Sequence, residues 1–191
     1  MLFLSSVFHL PKPQFFRWFH DNVVDLHLNE NVFLKVPEGL STFQSLEKLN
    51  MANNRIKDFP LHLTGLLTLQ ELNLSTNRLS YFPKSLVLPS SLRVLNLSKN
   101  KIGNIGCSYI ASALKYNTQL QLLDVSNQEN TFQSNQGVNE ISLEGIIALS
   151  SALKVNKSLK YLDLSCNRIQ LEGCKWLCKS LCSNIALKTL K

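Results

Sequence analysis

From residue 23 onward, apolar and polar positions recur in one order: two apolar residues three apart, a third two further on, an asparagine after three more, then a closing apolar residue. Val23, Leu26, Leu28, Asn31 and Phe33 form the first copy, and Leu46, Leu49, Met51, Asn54 and Ile56 the second. Leu69, Leu72, Leu74, Asn77 and Leu79 follow, then Leu92, Leu95, Leu97, Asn100 and Ile102. Leu159, Leu162, Leu164, Asn167 and Ile169 make a later copy, and Leu187 with Leu190 begins another. The period-two alternation at the centre of each copy reads as a short strand with one face in a core. Strands are expected to start near residues 23, 46, 69, 92, 120, 159 and 187.

Two kinds of segment join the copies. The first three carry Val36-Pro37, Phe59-Pro60 and Phe82-Pro83, and the next strand starts 15 residues after the asparagine. Proline fixes φ and lacks an N–H, so extended or tight-turn backbone is expected there instead of a full helix. From Asn100 onward the interval grows to 20 residues. Gly106, Ile110, Leu114, Asn117 and Leu120 then fall at helical spacing. So do Gly145, Leu149, Leu153, Asn156 and Leu159, and Gly173, Leu177, Leu181, Asn184 and Leu187. These backs are expected to be α-helical, with each glycine at a helix start where packing is close.

One copy departs from the pattern. After Leu120, Leu123 and Val125 the asparagine position falls on Gln128, and register returns only if Asn139 takes that role. Residues 128–138, QENTFQSNQGV, are polar and lack a hydrophobic period, so an inserted surface loop is expected. Residues 1–22 precede the first copy. There Val7, Leu10 and Pro11 imitate the apolar-proline step, and Phe15, Trp18 and Phe19 share one face of a short amphipathic helix. That stretch reads as an N-terminal cap or a degenerate repeat. Residues 187–191 open a strand with no polar unit to cap it, so the C-terminal end reads as truncated.

Repetition at this period, with this order of leucines and asparagine, resembles the leucine-rich repeat family over residues 23–191. The proline-bearing backs are similar to its typical short class, the later ones to its ribonuclease-inhibitor-like class. The resemblance implies an α/β fold: a right-handed solenoid, or horseshoe, with a concave parallel β-sheet. Its convex side would be extended or 3-10 at first and α-helical later. Where the chain turns away from each strand, backbone polar groups are stranded inside, and a buried one left unpaired costs about 1–3 kcal/mol. An amide side chain supplies both donors and an acceptor. Asn31, Asn54, Asn77, Asn100, Asn139 and Asn167 are therefore expected to form a structural ladder between coils.

The 191 residues are 45% apolar, enough for a single domain with a substantial core. Apolar stretches break well before the roughly 18 residues that a bilayer crossing needs, so no transmembrane helix is expected. The opening MLFLSSVFHL has no positive residue before its short apolar run and no small-x-small cleavage site after it. Five cysteines, an odd number without paired metal spacing, suit a reducing compartment, so a cytoplasmic or nuclear location is expected over secretion. The net charge of +7 is uneven: Lys154, Lys157, Lys160, Arg168, Lys175, Lys179, Lys188 and Lys191 face only Asp163 and Glu172 in the last stretch.

No catalytic set emerges. The four histidines are scattered, and neither a glycine-rich phosphate loop nor a nucleophile elbow is present. No catalytic, cofactor-binding or metal-ligating residues are expected. Cys174, Cys178 and Cys182 share a helical stripe, yet Cys174 is in register with Cys107 and Ile146, and Cys178 with Ala111 and Ser150. Packing between neighbouring backs is the expectation.

Surface remains, chiefly the inner curve. Its first outward column passes from Asp25, Lys48 and Glu71 to Val94, Leu122 and Tyr161, with Asn96, Asp124 and Asp163 in the next. Arg93 and Lys160 flank this half, helped by Lys188, Lys154 and Lys157. The expected site for another protein is thus Arg93, Val94, Asn96, Leu122, Asp124, Lys160, Tyr161 and Asp163, with an acidic segment suiting the basic rim. The scarcity of arginine and of outward aromatics interleaved with the lysines disfavours nucleic acid. No cofactor, small-molecule substrate or membrane is implied. One alternative is a recognition module of a larger signalling or effector protein, of the GTPase-regulator, nucleotide-binding-receptor or ubiquitin-ligase type, whose activity lies outside this chain. Another is self-association through the C-terminal edge.

Overall fold

The computed structural model describes residues 2–3, 22–127 and 138–191. Most of the expected cap or degenerate repeat over 1–22, and the insertion except residue 138, lie outside the described residues. Strands β1 Leu2–Phe3, β2 Asp25–His27, β3 Lys48–Asn50, β4 Glu71–Asn73, β5 Val94–Asn96, β6 Leu122–Asp124, β7 Tyr161–Asp163 and β8 Thr189–Leu190 form one sheet in chain order. Every neighbouring pair is parallel. A parallel neighbour needs a crossover, so each coil leaves the sheet, runs along its back and returns one strand further on.

The register makes a core column. Leu26, Leu49, Leu72, Leu95, Leu123 and Leu162 pair in succession and each is at most 2% exposed. Burying each contributes about 1.5–3 kcal/mol before chain entropy is counted. Strands β2 to β7 are three residues long because the next outward position already begins the turn.

The backs follow their prolines and glycines. A 3-10 helix Glu38–Thr42 follows Pro37 and buries Leu40, and another, Leu61–Gly65, follows Pro60 and buries Leu63. After Pro83 the chain makes turns only. Helices α1 Gly103–Tyr116, α2 Leu143–Leu153 and α3 Gln170–Leu181 then take over. Close approach excludes a side chain in the first turn of each of the three, at Gly106, Gly145 and Gly173. A Cβ on Gly106 would stand 2.9 Å from both Ile102 Cγ2 and Phe82 Cδ2, and one on Gly145 2.8 Å from Ile141 Cγ2. Asn104 of α1 also caps α2: its Oδ1 accepts the Ser142 and Gly145 N–H groups at 2.8 and 3.3 Å.

The expectation for the cysteine stripe is corrected in part. Cys107, Ile146, Ala111 and Ser150 are buried, whereas Cys174, Cys178 and Cys182 are exposed. α1 packs on α2 and α2 on α3, so their inner stripes are covered. Among the described residues no helix lies on the far side of α3.

Asparagines link the coils. Asn54 Nδ2 donates to Leu28 O of the preceding coil at 3.0 Å and to Met51 O and Ala52 O of its own, while its Oδ1 accepts the Phe33 N–H at 3.0 Å. Asn77 repeats this with Met51, Leu74, Ser75 and Ile56, and Asn100 with Leu74, Leu97, Ser98 and Leu79. Asn139 donates to Leu97 O and Val125 O and accepts from Ile102, and Asn167 bonds Val125, Leu164 and Ile141. Asn31 donates to Leu28 O and Asn29 O.

A second ladder runs where the helical backs return to the sheet. Asn156 Nδ2 donates to Leu114 O and Asn117 O, and Asn184 Nδ2 to Leu153 O and Asn156 O. Their Oδ1 atoms, like that of Asn117, accept the N–H groups two and three residues on. At the root of the insertion, Asn127 Oδ1 accepts the Asn139 N–H at 2.6 Å and its Nδ2 donates to Cys166 O, which ties the exit of the loop to its return.

Candidate functional site

The inner curve is built from the two outward positions of each strand. In register, the first column runs Asp25, Lys48, Glu71, Val94, Leu122, Tyr161 and Thr189, and the second His27, Asn50, Asn73, Asn96, Asp124 and Asp163. The alternation of strand side chains puts both columns on one face.

The first half is polar and internally paired. Lys48 Nζ stands 2.7 Å from Glu71 Oε1, and His27 Nε2 3.0 Å from Asp25 Oδ1. The hydrogen bond and charge of Glu71 hold the Lys48 ammonium above the usual lysine range. A depression of about 380 Å3 lies over β2 to β5, with Lys48, Asn50, Glu71 and Asn73 on its floor and Val94 and Asn96 at one end.

The second half is apolar in its first column and acidic in its second. Val94, Leu122 and Tyr161 are direct neighbours on β5, β6 and β7, each partly exposed. Beside them, Asn96, Asp124 and Asp163 each accept the N–H two residues on, from Ser98, Ser126 and Ser165, at 2.9 Å. The Tyr161 hydroxyl donates to Asp163 Oδ2 at 3.1 Å, and the Lys191 ammonium sits 5.4 Å from the Tyr161 ring centroid. Burial alone would raise the Asp163 pKa. Hydrogen bonds from the Ser165 hydroxyl and N–H and from Tyr161, with the Lys191 charge, outweigh it and hold the carboxyl below the usual range. Hydrogen bonding to Tyr161, aided by the charges of Asp163 and Asp124, raises the Lys191 ammonium.

The structure therefore brings together Val94, Leu122 and Tyr161 as a strip and Asn96, Asp124 and Asp163 as its neighbour. Arg93 and Lys160 are exposed just before β5 and β7, and Lys160 Nζ donates to Gln121 Oε1 at 3.1 Å. Sequence reasoning omitted Lys191 from this face. Its signal was available, since position 191 falls two residues after the Tyr161 equivalent, Thr189. The depression over the polar half was also missed, because Asp25, Lys48 and Glu71 read individually as solvated charge. Among the described residues, no group of three or more His, Cys, Asp or Glu side chains is placed to hold a metal ion.

Family models described as leucine-rich repeat match residues 45–66, 89–111 and 155–178. Among solved structures, a leucine-rich repeat protein of Leptospira interrogans superposes with a TM-score of 0.60 at 26% identity, covering 89% of this chain and 37% of that one. An internalin from Listeria monocytogenes superposes with a TM-score of 0.57 at 21% identity, covering 87% of this chain and 40% of its own, a likeness of fold. This chain thus spans well under half the length of either. No curated protein matches its sequence. Proteins of leucine-rich repeats generally mediate protein–protein interaction. The parallel sheet, the coil-by-coil backs and these matches converge: the chain carries leucine-rich repeats and has the solenoid fold of leucine-rich repeat proteins.

Proposed function

We propose that this chain is a non-catalytic scaffold that binds a partner protein on the second half of its concave face. The observation that supports it most is the strip Val94, Leu122 and Tyr161, which are apolar and partly exposed on adjacent strands where the first half of the same column is charged. Such anchors on a rigid stack lose little conformational entropy on binding, and truncating one typically weakens an interface by about 2 kcal/mol or more. Arg93 and Lys160 form a basic rim along the edge of the strip where the strands begin, which suits an acidic segment of the partner.

The test is capture from lysate with the Tyr161→Glu, Leu122→Glu double variant beside the unaltered chain. Loss of specifically captured proteins, with thermal melting shifted by only a few degrees, supports the reading. Equal capture by both removes it. A second reading is self-association through the α3 face and β8, favoured by the exposure of Cys174 and Cys178 where their counterparts in α1 and α2 are buried. Light scattering that shows a concentration-dependent dimer supports it; a monomer at all concentrations rejects it.

A further inference from the structure

The turn after each of strands β3 to β7 is closed by a side-chain oxygen that accepts the N–H two residues on. In β3, β4 and β5 that oxygen belongs to an asparagine: Asn50 to Ala52, Asn73 to Ser75, Asn96 to Ser98, at 2.9–3.1 Å. In β6 and β7 it belongs to an aspartate, Asp124 to Ser126 and Asp163 to Ser165, both at 2.9 Å. The turn is the same, so its closure needs no negative charge. Asp124 and Asp163 are moreover register partners on adjacent strands. Like charges in that position are unfavourable. Closing the turn therefore does not account for the charge.

The same place already receives a cation. Lys191 sets its ammonium over the Tyr161 ring, 5.4 Å from the centroid, and the Tyr161 hydroxyl donates to Asp163. The chain thus displays, within itself, how this face meets a lysine: an aromatic surface for the charge and stem, with a carboxylate at its edge. Leu122, next to Tyr161 in register, offers apolar surface for a neighbouring side chain.

We propose that Tyr161, Asp163 and Asp124 form a receptor for a lysine or arginine side chain of a bound protein, with Lys191 as the resident competitor. This rests on the concave-face reading and adds to it. The strip then carries opposite charge along its two edges, basic at Arg93 and Lys160 and acidic at Asp124 and Asp163, so a bound segment is oriented as well as held.

The test uses three defined peptides, acetyl-Leu-Lys-Leu-amide and its Gln and Glu analogues, titrated into isotope-labelled protein and read by amide NMR shifts. The lysine peptide shifts the signals of residues 122–126 and 161–165 saturably, and the other two do not. Lys191→Ala tightens its binding, and the Asp124→Asn, Asp163→Asn double variant weakens it, each by about fivefold. Because asparagine closes the same turn in β3, β4 and β5, that double variant is expected to stay folded near neutral pH, which its melting curve checks, and it remains a fair test. Equal response to all three peptides, preference for the Glu peptide, absence of saturable shifts, or indifference to the double variant overturns the receptor. If the Asn pair captures partners normally while the Tyr161→Glu, Leu122→Glu pair does not, the receptor falls and the concave-face reading stands.

Discussion

The side-chain oxygen of Asn77 accepts the Ile56 N–H at 3.0 Å, joining two coils through a buried bond. The same side chain donates to Met51 O, Leu74 O and Ser75 O. Asn77→Ala leaves these groups without that partner and water excluded. It is expected to lower unfolding free energy by about 3 kcal/mol. Asn31→Ala, at a less buried rung, is expected to cost about 1 kcal/mol. Urea unfolding of the two variants checks the order, and equal losses would remove the link between depth and effect.

Thr76 stands immediately before Asn77 with φ 53, in the left-handed region, as do Glu30, Asn53, Lys99 and Cys166 before their own asparagines. A β-branched residue is strained there. Because Thr76 is exposed, Thr76→Gly removes little contact. It is expected to stabilise the chain by about 0.5–1 kcal/mol despite the greater freedom of an unfolded glycine. Thermal melting of the variant above that of the parent is the outcome sought.

Cysteine reactivity separates the stripe on α1 from that on α3. Burial pushes the Cys107 thiol up to about 12, while Cys174, Cys178 and Cys182 are exposed. Alkylation at about pH 8 should label the three on α3 within minutes and leave Cys107 unlabelled until the chain unfolds. Peptide mass mapping against time distinguishes them.

Acid titration probes Asp163. Its folded carboxyl lies below the ordinary 3.8, so its ionised form is favoured by folding. The stabilisation is present above that ordinary value and is lost as pH falls through the lower, folded one. Asp163→Asn removes the dependence. The stability difference between parent and variant is therefore expected to be constant from about pH 7 to about pH 5 and to shift against the parent below about pH 4. A difference that stays flat to pH 2 contradicts the assignment.

The order of coils was legible in the sequence because each rule acts within one coil. Leu92, Leu95 and Leu97 mark a strand, Pro37 and Pro60 shape the turns behind theirs, and Ile110 with Leu114 writes a helix period. Relations across coils were harder to see. Asn117, Asn156 and Asn184 stood in view at the same offset before their leucines, yet the bonds of Asn156 and Asn184 to the preceding coil require knowing which carbonyls approach. Asn127 gains its role only because the insertion brings Asn139 back beside it. The exposure of Cys174 depends on what lies beyond α3, which register with Cys107 and Ile146 cannot state. On the concave face, the columns followed from alternation, whereas the contact of Lys191 with Tyr161 depends on side-chain reach.

The change from short turns to helices behind the sheet at Asn100 alters the shape of the inner curve. Neighbouring strands are spaced by about 4.8 Å. Packed helices stand about 8–10 Å apart. Coils with helical backs must therefore fan outward, while those backed by 3-10 turns stack nearly flush. The sheet is therefore expected to bend more sharply from β5 onward, which sets Leu122 and Tyr161 on the more curved half and Lys48 and Glu71 on the other.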